Sequence, residues 1–470
     1  MTLFEGLDLT HTIAAISTPV GMGGIGILRL SGPDAHAITR KVFSPRSHKA
    51  ILKHRQMVLG DIMDPASGEV IDEVFTVLMA APHTYTREDM TEIQCHSGRV
   101  VLERILKLLL AHGARLAGPG EFTLRAYLNG RIDLSQAEGV MEVIQAQSEA
   151  ALRMAQKQLR GEIRRAVTPL IETLDMILTY MEADLDFSED TGMDFTPTWQ
   201  ALWSENAPAL IHDIARLMEG FATCQMIRDG FEVVIIGPPN VGKSSILNRF
   251  IGRDRAIVTE IPGTTRDFLE EGTLIQGIPF RVVDTAGLRE TDDPIEKLGA
   301  VRSLQKKRQA DIVLFVLDAA RPLDDEEAQH LRQMEVEKTL VVLNKCDLPR
   351  VLSPEAIRPL LPAPAPVVEV SAKTGENWEA MTSLLLEKLQ NTALTRDVSS
   401  LIPINQRHYQ LLEKAKTALG RLDEGIRQGT EEVFLAQDAW EAKRALEAIT
   451  GASGDGDILS NIFRTFCVGK

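Results

Sequence analysis

The sequence predicts a multidomain chain of α/β and α parts: a mixed α+β amino-terminal domain, a helical domain discontinuous in sequence, and an inserted α/β domain with an open, mainly parallel sheet. Three observations predict it. The octet Gly237-Pro-Pro-Asn-Val-Gly-Lys-Ser244 follows directly on the apolar run Val233-Val-Ile-Ile236. A strand therefore feeds a glycine-framed turn and a helix opening at Lys243, which aims backbone N–H groups at a phosphate. Four polar stretches each follow an apolar strand pattern between residues 233 and 373, as an open parallel sheet requires when its ligand lies outside the carboxyl ends of the strands. Helical periodicity stands on both sides of this stretch, so two helical blocks flank an insert. The boundaries read as 1–125, 126–230, 231–378 and 379–470.

A chain of 470 residues buries about two to four cores, and 25% charged with 44% hydrophobic residues is ordinary for a soluble protein. The opening residues lack a basic segment followed by an apolar run, and no stretch approaches roughly 18 uncharged apolar residues, which predicts a cytoplasmic location. Cys95, Cys224, Cys346 and Cys467 are scattered, so neither a disulfide framework nor a local zinc site is encoded. A formal charge of −15 opposes nonspecific nucleic-acid binding; contact with RNA needs a local patch or a partner.

In chain order, residues 12–31 predict two short strands around a glycine-rich bend. Strand, not helix, follows those glycines, which rules out a dinucleotide fingerprint. Arg29 lies among Ile27, Leu28 and Leu30, where a buried guanidinium needs an anionic partner; the readings are a ligand carboxylate or an ordinary edge-strand arginine. Residues 74–80 and 92–96 predict strands, and 100–114 an amphipathic helix. Residues 118–133 mix polar groups with turn formers and read as a ligand-lined edge; Arg29, Glu92 and Arg131 are the polar positions that can meet around a small molecule. A long helical pattern runs over 135–180, with Arg153, Lys157, Arg160, Arg164 and Arg165 as a solvated basic face. Residues 182–194 read as an acidic surface loop, and 197–221 as helix with Trp199 and Trp203 packed. After the insert, helices are expected over 378–389, 404–421 and 432–449. Ile462, Phe463 and Phe466 anchor the tail. Cys467 is expected to be a buried small hydrophobe in preference to a reactive thiol, and the Cys-Val-Gly-Lys470 ending is not a prenylation box.

The insert's polar loops specify their chemistry. Lys243 is expected against the β- and γ-phosphates, with Ser244 on Mg2+ and Asp284 supporting that ion from the second strand. Val241, Gly242 and Ser245 complete the loop, Gly287 N–H can face the terminal phosphate, and Thr285 and Ala286 belong to the same GTP-binding stretch. In Asn344-Lys-Cys-Asp347 a buried carboxylate accepts two hydrogen bonds from the edge that guanine has and adenine lacks. Ser371-Ala-Lys373 closes the base side, so the nucleotide is GTP. Thr265, with Thr264 beside it, can complete the Mg2+ shell and hold the γ-phosphate as part of a switch. Leu288 stands where Ras-like enzymes use Gln to orient water, and an apolar side chain cannot do so. Glu290, Asp292, Asp293 and Glu296 are the acids within reach along the chain.

Taken together, Gly118-Pro-Gly-Glu-Phe122, Leu134-Ser-Gln-Ala-Glu138, Gly263-Thr-Thr-Arg-Asp267 and Phe466-Cys-Val-Gly-Lys470 make the whole chain resemble the MnmE (TrmE) tRNA-modification GTPases. The resemblance implies a homodimer formed through the amino-terminal domain. That domain binds 5-formyl- or 5,10-methylene-tetrahydrofolate through Arg29, Glu92, Arg131 and Lys470. It implies K+ held by Asn240, Thr259, Ile261 and Thr264, and Glu296 as the water-orienting acid. It also implies an FAD-dependent MnmG-type partner, with which aminomethyl or carboxymethylaminomethyl groups are added to C5 of the wobble uridine of certain tRNAs. Met22, Cys95-His96-Ser97-Gly98 and the Val of the terminal motif depart from the family pattern, and none lies in the GTPase motifs. The alternative is a regulatory or assembly GTPase whose nucleotide state only switches protein partners; it needs no folate pocket.

Overall fold

The computed structural model describes residues 10–19, 21, 23–47, 52–191, 195–253, 270–275, 278–284, 310–392, 401–452, 459, 462–464 and 466–469. The chain divides into a unit of Met1–Met141, Gln158–His212 and Gln410–Lys470, and a unit of Glu142–Lys157 and Asp213–Tyr409.

In the first unit, β1 (Ile13–Ile16), β2 (Gly26–Ser31), β3 (Phe43–Pro45), β4 (Met57–Met63), β5 (Val70–Met79), β6 (Met90–Cys95) and β7 (Arg115–Leu116) form one sheet ordered β3-β4-β5-β6-β2-β1-β7. All neighbours are antiparallel except β1 and β7. The expected pair of strands around the glycine bend is present as β1 and β2. The helix Arg99–Ala111 places Leu102, Ile105, Leu108 and Leu109 at helical spacing. These pack with Leu28, Leu30 and Ile38 in one core. The β2–β6 register sets Arg29 directly opposite Glu92.

Two readings of the helical region change. The pattern over 135–180 is three helices, Leu134–Gln145, Glu149–Leu159 and Glu162–Thr191. One break falls at Gly161, whose φ of 75° belongs to the left-handed region that side chains avoid. The third helix also runs through the supposed acidic loop. Two of its acids have partners: Glu182 accepts from Trp440 Nε1 at 3.0 Å, and Asp184 accepts from Phe195 N–H at 2.7 Å and Thr196 Oγ1 at 2.6 Å. Burial works against the Asp184 carboxylate, yet those bonds outweigh it and hold its pKa below the usual carboxylate range. Residues 118–133 likewise contain a helix, Glu121–Leu128, entered through left-handed Gly120. Trp199 and Trp203 are buried as expected.

The tail returns to this helix. Phe463 and Phe466 are 0% and 5% exposed and pack with Leu124, Leu134, Ala137 and Met141. Beyond them Gly120 N–H donates to Cys467 O at 3.4 Å, Val468 bridges Pro119, and Ser17 Oγ donates to Gly469 O at 3.1 Å. Gly469 has φ 94°, and a Cβ there would lie 2.4 Å from Ile16 O. Cys467 is exposed, not buried, because the two phenylalanines already fill the pocket.

In the second unit, β8 (Phe231–Ile236), β9 (Glu270–Ile275), β10 (Ile278–Asp284), β11 (Ile312–Asp318), β12 (Thr339–Asn344) and β13 (Val367–Glu369) are ordered β13-β12-β11-β8-β10-β9. Every pairing is parallel except the β9–β10 hairpin. The strands read as continuous apolar runs because both faces are covered. Val233, Ile235, Leu314 and Val342 serve one core, with Ile246 and Phe250 of the helix Lys243–Arg253 and Trp378 of the helix Trp378–Thr392. Phe315, Leu317, Val341 and Leu343 serve another.

Truncating the tail anchor tests its packing. Phe463→Ala is expected to destabilise the first unit by about 3 kcal/mol and to speed proteolytic trimming of the last residues, read by denaturant unfolding and by mass spectrometry of a limited digest.

Candidate functional site

β11 and β12 run past the end of β8, and the loops that leave β8, β12 and β13 converge. The turn after β8 is built from unusual backbone: Gly237 has φ 146°, Asn240 64° and Gly242 97°. A Cβ at Gly237 would stand 2.2 Å from Val316 O, and one at Gly242 2.2 Å from Asn344 Nδ2, so neither glycine tolerates a side chain. Val241 is fully buried and pegs the loop to the core. The helix opens at Lys243, with Ile246 N–H bonded to Gly242 O at 3.0 Å. Lys243 Nζ donates to Gly237 O at 2.7 Å and Pro238 O at 2.6 Å, across the mouth of the loop. Ser244 and Ser245 are exposed on the first helical turn, where the helix dipole favours an anion.

Asn344 is 2% exposed and uses both ends of its amide. Nδ2 donates to Val241 O at 2.8 Å, and Oδ1 accepts from Ala372 N–H at 3.0 Å. Lys345, at φ 68°, donates from Nζ to Asn240 O and to Asp318 Oδ2, each at 2.7 Å. Ser371 is buried and closes its own turn, its Oγ accepting from Thr374 N–H at 3.0 Å. Lys373 follows at the exposed rim. Asp347 is exposed, which corrects the expectation of a buried carboxylate. It stands on the turn outside β12, bounded by Leu348 N–H to Lys345 O at 3.0 Å, and faces open solvent rather than the core.

Asp318 is the residue that motif reading missed. It ends β11 opposite Asn344, and its signal was one more apolar run closing on an acid. Burial disfavours its charge, but Lys345 and Ala320 N–H outweigh that and hold its pKa below the ordinary 3.8. Asp284 ends β10 beside Ile235 of β8. Thr259, Ile261, Thr264, Thr265, Thr285, Ala286, Gly287, Glu296 and Lys470 lie outside the described residues.

A second polar cluster lies in the first unit. Arg29 Nε and Nη2 donate to Glu92 Oε1 at 2.9 and 2.7 Å, and the guanidinium sits 5.8 Å from the Phe122 ring centroid. Arg131 stacks at 4.7 Å on the Tyr85 ring and donates to Tyr85 O at 3.1 Å. Burial pushes the Tyr85 hydroxyl pKa up, while its bond with Thr123 and the charges of Arg131 and Arg29 pull the other way. Both arginines thus act on one phenol. Among the described residues no group of three or more His, Cys, Asp or Glu is arranged to hold a metal, and no helix is long and apolar enough to cross a membrane.

A glycine-framed phosphate turn whose loop is tied by Asn344 to the base-side turn, at the carboxyl edge of a parallel sheet, defines a P-loop GTPase fold within a longer chain. The rest of the chain narrows the class. A family model described as the GTP-binding protein TrmE N-terminus matches residues 12–131, and one described as the MnmE helical domain matches residues 134–467. The tRNA modification GTPase MnmE of Carboxydothermus hydrogenoformans is 43% identical over 464 residues, covering 98% of this chain and 100% of that protein. Its counterpart in Geobacter sulfurreducens is 41% identical over 459 residues, covering 98% and 99%. The chain belongs to the MnmE family of tRNA modification GTPases. Among solved structures, the G domain of the T. maritima FeoB iron transporter is 28% identical, covers 34% of this chain and 99% of its own, and has a TM-score of 0.27.

Because the Asp318 pKa is depressed on folding, its contribution is present above the ordinary carboxylate value and is lost as pH falls through the folded value. Asp318→Asn is expected to weaken GTP binding about fivefold at neutral pH, measured with a fluorescent nucleotide. The stability gap to the parent protein should shrink on acidification in parallel urea titrations.

Proposed function

We propose that this GTPase is a K+-stimulated hydrolase that works with an FAD-dependent MnmG-type partner. Together they install aminomethyl or carboxymethylaminomethyl groups at C5 of wobble uridine 34 in certain tRNAs, using a tetrahydrofolate one-carbon unit. The observation that carries this reading is the coexistence of two clusters in one chain. A nucleotide-dependent protein switch needs the loops around Asn344 but has no use for Arg29, Glu92 and Arg131 set beside Phe122 and Tyr85.

The loop residues fit the ions. Ser244 offers a hydroxyl at an exposed helix start and Asn240 an exposed amide on a left-handed turn, hard oxygen donors of the kind Mg2+ and K+ take. In this reading Ser244 and Thr265 hold Mg2+, Asn240 with Thr259, Ile261 and Thr264 holds K+, and Glu296 orients the attacking water. Bound cations supply positive charge where the phosphate oxygens gain negative charge. Lys243 shares that task from the protein side, Asp284 supports the Mg2+ shell, and Asp347 with Ala372 reads the guanine edge.

The amino-terminal residues also fit their ligand. Glu92 is 22% exposed and keeps acceptor capacity beyond its bond to Arg29. Arg29, Arg131 and Lys470 are the cations for a folate carboxylate, and the flat faces of Phe122 and Tyr85 suit an aromatic ring. The domain division at 125, 230 and 378, the homodimer formed through the amino-terminal domain, and a cytoplasmic location belong to the same reading.

Nucleoside mass spectrometry of bulk tRNA tests the whole. Depleting the protein should remove the C5-aminomethyl-type uridines, and Lys243→Ala or Glu296→Ala should fail to restore them. Glu296→Ala should keep GTP binding while losing most hydrolysis, and Arg29→Ala should abolish folate binding by calorimetry. Normal wobble uridines after complete depletion would leave a switch GTPase instead.

A further inference from the structure

The loop over residues 371–376 is held from a direction that no GTPase motif accounts for. Arg249 lies six positions after Lys243 on the same helix. Its Nη1 donates to Ala372 O at 2.8 Å and Lys373 O at 3.3 Å, and its Nη2 donates to Thr374 O at 3.3 Å. Three consecutive carbonyls are thus turned toward one guanidinium. Carbonyl dipoles gathered in this way repel one another unless a cation with several donors stands between them, and a planar fork meets that need better than an ammonium.

The surroundings are shaped for that side chain. The guanidinium sits 5.5 Å from the Trp378 ring centroid, and Phe250, its neighbour in sequence, packs on the same ring at 4.7 Å. Gly375 has φ 90°, and a Cβ there would lie 1.8 Å from Arg249 Nη2. The glycine therefore provides both the turn and the space into which the guanidinium fits. Ala372 is consequently fastened at both ends of its peptide groups: its N–H by Asn344 Oδ1, and its carbonyl by Arg249. Both tethers lead back to the phosphate loop, one through Val241 O and the other through the helix that Lys243 opens.

We propose that Arg249 is a positioning residue for guanine specificity, holding the Ser371-Ala-Lys373 loop at the distance from the phosphate loop that lets one nucleotide engage both. The proposal rests on the GTPase reading and names the part of the chain that sets its base selectivity. A base loop tolerates displacement of only about 0.5 Å before its hydrogen bonds fail, so loss of Arg249 acts on recognition of the base. The phosphate grip remains, because Gly237, Gly242 and Lys243 do not depend on this side chain.

The test uses the full-length protein and its Arg249→Ala and Arg249→Lys variants, with melting curves as a folding control. In Arg249→Ala the Kd for GDP and GTP is expected to rise about tenfold. The preference for GTP over ITP and ATP should narrow, KM for GTP should rise with kcat held within about twofold, and competition by inorganic tripolyphosphate should be unchanged. Arg249→Lys keeps the charge but lacks the fork and should resemble the alanine variant; it also serves alone if Arg249→Ala does not fold. Wild-type affinity and selectivity in these variants would overturn the proposal, as would an equal loss for GTP and tripolyphosphate. If the parent protein itself binds GTP no better than ATP, the GTPase reading fails, an outcome separate from any effect of Arg249.

Discussion

Asn344 has one side-chain amide and two backbone partners, Val241 O and Ala372 N–H, that belong to different loops. The geometry of the second unit depends on this double use, because an amide is the small group that donates and accepts at once. Aspartate would lose the donor and leucine both, leaving buried peptide groups unpaired at a cost of about 1–3 kcal/mol each. The arrangement works only because β11, β12 and β13 run parallel and in register, so that Asn344, Asp318 and the start of Ser371-Ala-Lys373 arrive at the same edge. Lys345 then reaches both Asp318 and Asn240 from the neighbouring position.

The first unit is ordered by a different electrostatic device. Arg125 and Glu121 are each 1% exposed and bond at 2.9 Å. Arg125 also reaches Glu88 at 3.0 Å, and Glu121 accepts from Gly118 N–H at 2.8 Å and from Arg115. Burial disfavours the Glu121 charge, but these donors prevail and hold its pKa below the usual range. A buried charge kept in place by this many directed bonds contributes geometry more than net stability. Here it shapes the turn Gly118-Pro-Gly120 that receives the tail, and the same helix presents Phe122 to Arg29.

The parallel sheet was legible in the sequence because its strands are buried on both faces and read as unbroken apolar runs, each ending on a polar loop. The phosphate turn was legible for a related reason: Gly237 and Gly242 occupy positions where no other residue fits. Arg29, Glu92 and Arg131 were legible only as polar positions able to meet around a small molecule; the pairing of Arg29 with Glu92 comes from the strand register. What escaped was whatever depended on tertiary partners. Residues 182–194 read as an acidic loop, yet Glu182 finds a donor in distant Trp440, Asp184 finds donors in Phe195 and Thr196, and the helix continues to Thr191. The breaks within 135–180 involve short turns that leave the apolar spacing nearly intact. Asp318 carries no motif of its own and acquires its role only from Lys345. Cys467 reads as a small hydrophobe until Phe463 and Phe466 are seen to have taken the space.

The union of Ser17 with Gly469 joins residues separated by 452 positions. During vectorial synthesis, the amino-terminal sheet and the helix Glu121–Leu128 emerge long before the strand-like segment that completes them. Their apolar cleft around Leu124 and Leu134 must wait through translation of the entire nucleotide-binding insert. Nascent chains in that interval carry an uncovered greasy surface, which is a binding site for chaperones and a hazard for misassembly. Closure of the amino-terminal domain therefore waits for the segment around Phe463 to Gly469, an order of assembly that follows from topology alone.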